Sequence, residues 1–329
     1  MITTHQDDEH PLFSVCIPVY NRADLVARTI DSVLAQTLST YEIVAVNDGS
    51  KDTSLDVLRT YEPRIRVIDQ PNKGLAGARN TAAAHAVGRY LVFLDSDDLF
   101  FPWSLRTLAD AIAASRHDIN TDPAMVSGYF MPFDDEHELA SVEPPTTPAI
   151  RTFPDYLSTR ALSTGIAPSG TAIRRDLFHE VGGGEEVRVM FEDVELWFKL
   201  GGFPGYAHVD DPPVVAYRVG HAQMMGNMQK QLDGYAWLRT KVDAGQLPHP
   251  DRAHQMRDIL AIHAKGCAVR CLHAKDRARG LAFYRRALPG LLRTGQLKFL
   301  AAYPVLLAVG RGVAAPAMRE RKKQTVSDE

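Results

Sequence analysis

Short, nearly unbroken apolar runs alternate with amphipathic stretches through residue 98. Phe13 to Tyr20, Tyr41 to Val46, Ile65 to Ile68 and Tyr90 to Leu94 have the length and the β-branched and aromatic content of buried strands. Between them, Asn21 to about Gln36 and Asp52 to Tyr61 read as helices, and Asn72 to Asn80 leads into a third that ends near Val87; Leu25, Val26, Ile30, Val33 and Leu34 mark one apolar face of the first. Strand alternating with helix predicts a doubly wound, mostly parallel sheet flanked by helices. Beyond it the pattern predicts a helix over 103–115, a strand over Ala124–Met131 and a surface loop over the acidic, Pro-rich 134–148. A helix over Phe153–Leu162, a strand over 169–175, a helix over 191–201 and strands over 205–209 and 214–217 follow. From about Ala222 only helical patterns remain, at 222–243, 251–274, 277–293 and 296–310. The expected division is residues 1–221 and a helical 222–329.

Three of the strands end in polar turns, and one of these carries the strongest chemistry. Tyr90 to Leu94 runs straight into Asp95, Ser96, Asp97 and Asp98. Ligands of open α/β sheets sit outside the carboxyl ends of the strands. Three carboxylates in four residues, with no basic residue beside them in sequence, call for a cation. Mg²⁺ takes one or two carboxylates and completes its shell with water and phosphate oxygens. The competing reading is a solvated turn capping the helix near Trp103. A second acidic group, Glu192, Asp193 and Glu195, occupies the first turn of the helix over 191–201. Compensation of the helix dipole, worth about 0.3–1 kcal/mol per charge, explains acids there without requiring two adjacent ones.

The glycine fingerprint of dinucleotide folds and the P-loop pattern are both absent after the first strand, where Pro18-Val19-Tyr20-Asn21 stands. That removes the common dehydrogenases and P-loop NTPases. Of 329 residues, 45% are hydrophobic and 23% charged, so a large core is available. A net charge of −3 argues against a nucleic-acid partner. The average hides an asymmetry: residues 251–329 hold 16 Lys and Arg against 6 Asp and Glu, the rest of the chain 21 against 34. Cys16, Cys267 and Cys271 form neither a disulfide framework nor a zinc spacing, as expected of a reducing compartment. The N-terminal residues do not read as a signal peptide, and no uncharged apolar stretch is long enough to span a bilayer. Residues 297–310 are apolar and lie among basic residues from 285 to 323. Contact with an anionic membrane, packing on the body, and a homodimer interface are the three readings of that stretch.

Five segments in order, Ile17-Pro18-Val19-Tyr20-Asn21-Arg22, Val46-Asn47-Asp48-Gly49-Ser50, Asn72-Lys73-Gly74 with Ala78-Arg79-Asn80, Phe93-Leu94-Asp95-Ser96-Asp97-Asp98 and Glu192-Asp193, resemble the inverting family 2 glycosyltransferases of GT-A fold. The resemblance covers roughly 12–221 and leaves the C-terminal helices outside. It implies a GT-A sheet with a C-terminal helical extension, and transfer from a nucleotide sugar, UDP foremost, to a hydroxyl of a glycan or lipid-linked acceptor. Cell-surface polysaccharide or glycolipid synthesis is the implied setting, in the cytoplasm and peripheral to the inner face of the membrane. Pro18, Tyr20 and Asn21 would line the base and ribose pocket, and Asp48 would accept from the uracil N–H. Arg79 would hold the base or a phosphate, and Asp95 with Ser96 the ribose or sugar. Asp97 would hold Mg²⁺ or Mn²⁺, with His221 as a further ligand. Asp193 would be the general base supported by Glu192, and Asp98 would only cap the next helix. Two departures stand out: Gly220 precedes His221, and 182–186 reads Gly-Gly-Gly-Glu-Glu in place of Gly-Gly-Phe-Asp-Glu. A sugar nucleotidyltransferase is disfavoured by the missing basic, Gly-rich loop after the first strand. A non-catalytic sugar-nucleotide-binding module is disfavoured because Asp48, Asp97 and Asp193 are all present.

Overall fold

The computed structural model describes residues 10–143, 147–159, 166–187, 189–219 and 227–309. Four strands, β1 (Phe13–Val19), β2 (Tyr41–Asp48), β3 (Arg66–Gln70) and β4 (Tyr90–Phe93), form a parallel half-sheet in the order β3-β2-β1-β4. Alternate side chains of β1 enter opposite cores. Val15, Ile17 and Val19 face α1 (Val26–Leu34) and α4 (Ser104–Ile119), whereas Cys16 faces α3 (Gly74–His85). Burial on both faces is why these strands read as continuous apolar runs. The short α2 (Ser54–Arg59) joins β2 to β3.

The other half-sheet is mixed. β8 (Thr171–Arg174) lies antiparallel between β4 and β6 (Met125–Phe133); β6 runs parallel to β9 (Tyr206–Arg218). The two-residue β5 (Leu99–Phe100) and β7 (Ala149–Phe153) pair antiparallel to β9. The parallel expectation therefore describes the first four strands and not the second half. The two strands expected over 205–217 are one, β9, paired with β6 through register shifts at Tyr129. The helix expected over Phe153–Leu162 is not formed. Residues 149–153, with Ile150 and Thr152, join the edge of β9, Pro154 ends that ladder, and a single 3₁₀ turn covers Leu157–Thr159. Residues 160–162 lie outside the described residues. In the segment expected to be loop, a 3₁₀ helix at Glu136–Ser141 lets Glu136 pair with Arg28 and Arg218 at 2.6 Å each.

Helices α5 (Arg175–Glu180) and α6 (Glu192–Leu200) cover the α3 face of the sheet. The C-terminal helices α7 (Met228–Asp243), α8 (Ala253–His273), α9 (Arg277–Arg293) and α10 (Leu297–Val309) extend that same core, which runs from Phe93 through Trp197 and Phe198 to Leu260, Cys267 and Phe283. All three cysteines are buried and free.

Candidate active site

Chain order and sheet order disagree at one place. β1 to β3 step outward in one direction, and β4 returns to the other side of β1. A crevice at the carboxyl ends is expected at such a switch point. Pairing of β1 with β4 stops at Cys16–Phe93, while pairing with β2 continues to Val19. The missing N–H of Pro18 falls beyond the end of the β4 ladder. The loops after β1, β2 and β4 meet there.

The first two loops are latched together. Asn21 has the left-handed φ of 52°, which asparagine tolerates. Its N–H donates to Ser50 Oγ at 3.0 Å and its Oδ1 accepts from Lys51 N at 2.8 Å. Helix α1 therefore begins at Val26 rather than Asn21. Tyr20 beside it is exposed. Asp48 is buried and caps α3 from a distance: Oδ1 accepts from Lys73 N at 2.8 Å and from Gln70 Nε2 at 2.7 Å, and Oδ2 accepts from Gly74 N at 2.9 Å. A carboxylate has about four acceptor positions, so one remains for a ligand N–H. Gly49, φ 69°, permits this approach, because a Cβ there would stand 2.9 Å from Asn72 N.

The acidic turn is not left uncompensated, as the linear sequence suggests. Folding brings Arg79 Nη2 to Asp95 Oδ1 at 2.7 Å and Arg22 Nε to Asp97 Oδ2 at 3.3 Å. Ser96 is buried between the two acids. Asp98 does not cap the following helix; α4 starts at Ser104 with no side-chain cap. Instead Asp98 is buried, with Oδ2 accepting from Ser169 Oγ at 2.6 Å, Oδ1 from Arg218 N at 3.0 Å, and its backbone carbonyl from Thr29 Oγ1 at 3.0 Å. It ties β4 to α1, β8 and β9. Burial, followed by the charges of Asp95 and Asp97, pushes its carboxyl up to about 8. Ser169 Oγ also accepts from Asp95 N at 3.1 Å, and Arg218 Nε donates to the Asp97 carbonyl at 3.0 Å. Sequence reading missed Ser169 and Arg218, since nothing local marks either.

The second acidic pair adjoins the first through Arg79. Arg79, Phe93, Phe178, Trp197, Glu192 and Asp193 line one cleft. The Arg79 side chain is only 8% exposed, sits 5.7 Å from the Phe93 ring centroid and gives one nitrogen to Asp95. The resemblance implies a role for Arg79 at base or phosphate; the protein alone directs it to Asp95, with the charges of Glu192 and Asp193 also acting on it. Burial and then Asp193 push Glu192 up to about 7. Burial likewise raises Asp193; the Val194 N–H, 2.8 Å from its Oδ1, and the Arg79 charge oppose that rise without cancelling it. Tyr217 on β9 feels Asp98, Asp95, Asp97 and Asp193 together, and with burial they raise its hydroxyl to about 12. His221 lies outside the described residues.

What aims α6 comes from the C-terminal helices. Phe191 turns the chain into α6 with φ 73° and is buried, its ring edge-on to Tyr235 at 6.1 Å and to His263 at 5.9 Å. Gly234 lets α7 press on the preceding backbone, where a Cβ would stand 2.2 Å from Met190 O. Gly234→Ala must therefore shift the start of α6. The expected result is a kcat lowered by roughly 10²-fold with UDP affinity unchanged, read by steady-state kinetics and calorimetry.

No three metal-capable side chains gather among the described residues. A cation held at the rim would therefore take Asp97 as its protein ligand among the described residues and fill its shell from elsewhere. The Asp97 side chain is 27% exposed and held by one long bond, so it can turn to an ion whose remaining ligands are diphosphate oxygens and water.

A mixed α/β sheet with acids at its carboxyl rim, joined through Arg79 to a further acid pair, defines a GT-A transferase. The profile of glycosyl transferase family 2 matches residues 14–182. An uncharacterised glycosyltransferase of Rickettsia typhi is 31% identical over 238 residues, 71% of this chain and 72% of that protein. The chondroitin synthase of Pasteurella multocida is 36% identical over 144 residues, which is 38% of this chain and 15% of that one. A Rickettsia felis glycosyltransferase is matched over 31% of its own length, so the chain spans only part of some curated relatives. Staphylococcus aureus TarS in complex with UDP superposes with a TM-score of 0.61 over 91% of this chain and 92% of that one, at 17% identity. A Pyrobaculum calidifontis mannosyltransferase in complex with GDP-Man and Mn²⁺ gives 0.54 over 92% and 87%, at 20% identity. The chain belongs to glycosyl transferase family 2.

Proposed function

We propose that this glycosyltransferase moves a sugar from a UDP-sugar to a hydroxyl of a glycan or lipid-linked acceptor, with inversion and with Mg²⁺ or Mn²⁺. The observation that carries this reading is Arg79, which pairs with Asp95 at 2.7 Å and lines the cleft of Glu192 and Asp193, so that the acidic turn and the acid pair adjoin. The uracil N–H takes the open acceptor position of Asp48, which cytosine could not use because it presents no such donor. Pro18, Tyr20 and Asn21 face the base and ribose, and Asp95 with Ser96 the ribose or sugar. Asp97, with His221, would hold the metal, which when bound stabilises charge on the departing diphosphate. Asp193 takes the proton from the acceptor hydroxyl as its oxygen attacks the anomeric carbon from the face opposite the diphosphate. Burial raises the affinity of Asp193 for that proton, and the Val194 N–H and the Arg79 charge oppose that rise.

The UDP complex of TarS and the chondroitin synthase among the relatives support a UDP donor and a polysaccharide or glycolipid product. Such a product places the enzyme in the cytoplasm, peripheral to the inner face of the membrane. The division at 221 assigns donor binding and chemistry to the sheet and bracing to the helices. A hydrolysis screen across UDP-, GDP- and dTDP-sugars should show turnover with a UDP-sugar only. NMR of the transferred sugar should show the anomeric configuration opposite to the donor's. Retention of configuration, or preference for GDP-sugars, would overturn the reading.

A further inference from the structure

The outward face of α10 is apolar. Tyr303 anchors the helix: its hydroxyl donates to Ala268 O at 2.9 Å, and its ring stacks on Tyr284 with centroids 5.3 Å apart. On the opposite arc, Leu297, Ala301, Val305, Ala308 and Val309 are exposed, with Lys298 the sole charge on the helix. Leu297, Val305 and Val309 are 62%, 61% and 60% exposed. Leu288 and Leu292 are exposed on α9. Arg285, Arg286 and Arg293 are exposed on α9 as well. Neither helix contains an acidic residue. Among the described residues only Arg293 of these cations has a carboxylate partner, Asp258 at 2.7 Å. The sequence after Val309 adds Arg311, Arg319, Arg321, Lys322 and Lys323.

We propose that the α9–α10 hairpin docks on an anionic lipid bilayer, lying in its interface with Leu297, Val305 and Val309 inserted among the acyl chains. Charge selects this occupant. A second copy related by a two-fold axis would bring one positive rim against another. An anionic surface attracts the exposed Arg285, Arg286 and Lys298, which have no carboxylate partner among the described residues. Apolar side chains opposite a packed face, with Lys and Arg at the border, are the make-up of an interfacial helix. Among the described residues no helix is long and apolar enough to cross a membrane, so the contact is superficial. This inference does not depend on the donor or on the chemistry of the cleft.

Flotation of the full chain with vesicles of phosphatidylcholine alone, or with phosphatidylglycerol added, tests it. The protein should float with the anionic vesicles, stay behind with the neutral ones, and be released by raised salt. Leu297→Glu with Val305→Glu should weaken vesicle binding at least about tenfold. UDP affinity and the unfolding midpoint should not move, since both positions are solvent-facing. Absence of wild-type binding to anionic vesicles would overturn the proposal. So would a wild-type dimer in light scattering that the double variant converts to monomer while vesicle binding persists.

Discussion

Asp193→Asn should lower turnover by about 10²–10⁴-fold, the range for loss of a positioned general base, equivalent to roughly 3–5 kcal/mol of barrier. The substitution keeps the shape at the mouth of α6, and Asn can still accept from Val194 N. The loss should appear in kcat, with UDP affinity unchanged, because the proposed role of Asp193 is toward the acceptor and not the nucleotide. The pH profile gives a second readout. The base works ionised, and burial raises its proton affinity. Wild-type kcat/KM should therefore fall as pH drops through a value above the usual carboxylate figure of about 4. The residual rate of the Asn variant should lack that limb. Glu192→Gln is the control, since Glu192 neighbours the base without replacing it; a loss below about tenfold is expected. If Asp193→Asn kept its turnover and Glu192→Gln lost it, the two roles would be exchanged.

How much of this was legible beforehand follows from the range of each interaction. β1, β2 and β4 showed themselves because a strand buried on both faces is written in consecutive residues. The turns at Asn47-Asp48-Gly49 and Asp95-Ser96-Asp97 showed themselves because they interrupt such runs. What could not be read lies between distant segments. Arg22 and Arg79 neutralise an acidic turn that has no basic neighbour in sequence. Asp98 resembled a local cap, yet its partner at Arg218 lies 120 residues along the chain. β7 exists because β9 offers an edge at 206–211, which no local pattern announces. The aim of α6 was invisible for the same reason: Phe191, Tyr235 and His263 belong to three separate segments.

Asp97→Asn should abolish the enhancement of UDP affinity by Mn²⁺ and cost kcat about 10³-fold, since a metal on a leaving diphosphate contributes several kcal/mol. UDP affinity without metal should stay near wild type, because the proposed contact to the base is Asp48, on another loop. Arg22 makes the test sharper. Its Nε is the one side-chain donor found on Asp97 among the described residues, at 3.3 Å, and a divalent cation on Asp97 would have to displace it. Arg22→Gln removes a competitor for the same oxygen. Calorimetry in the presence of UDP should then show half-saturation at lower Mn²⁺ than in wild type, whereas Asp97→Asn should show none at any accessible concentration. If Arg22 instead held the diphosphate, Arg22→Gln would weaken UDP binding with and without metal. The two variants thus separate a rim that exchanges an internal cation for an external one from a rim in which arginine alone carries the phosphate charge. Only the first links nucleotide capture to the readiness of the sugar to leave.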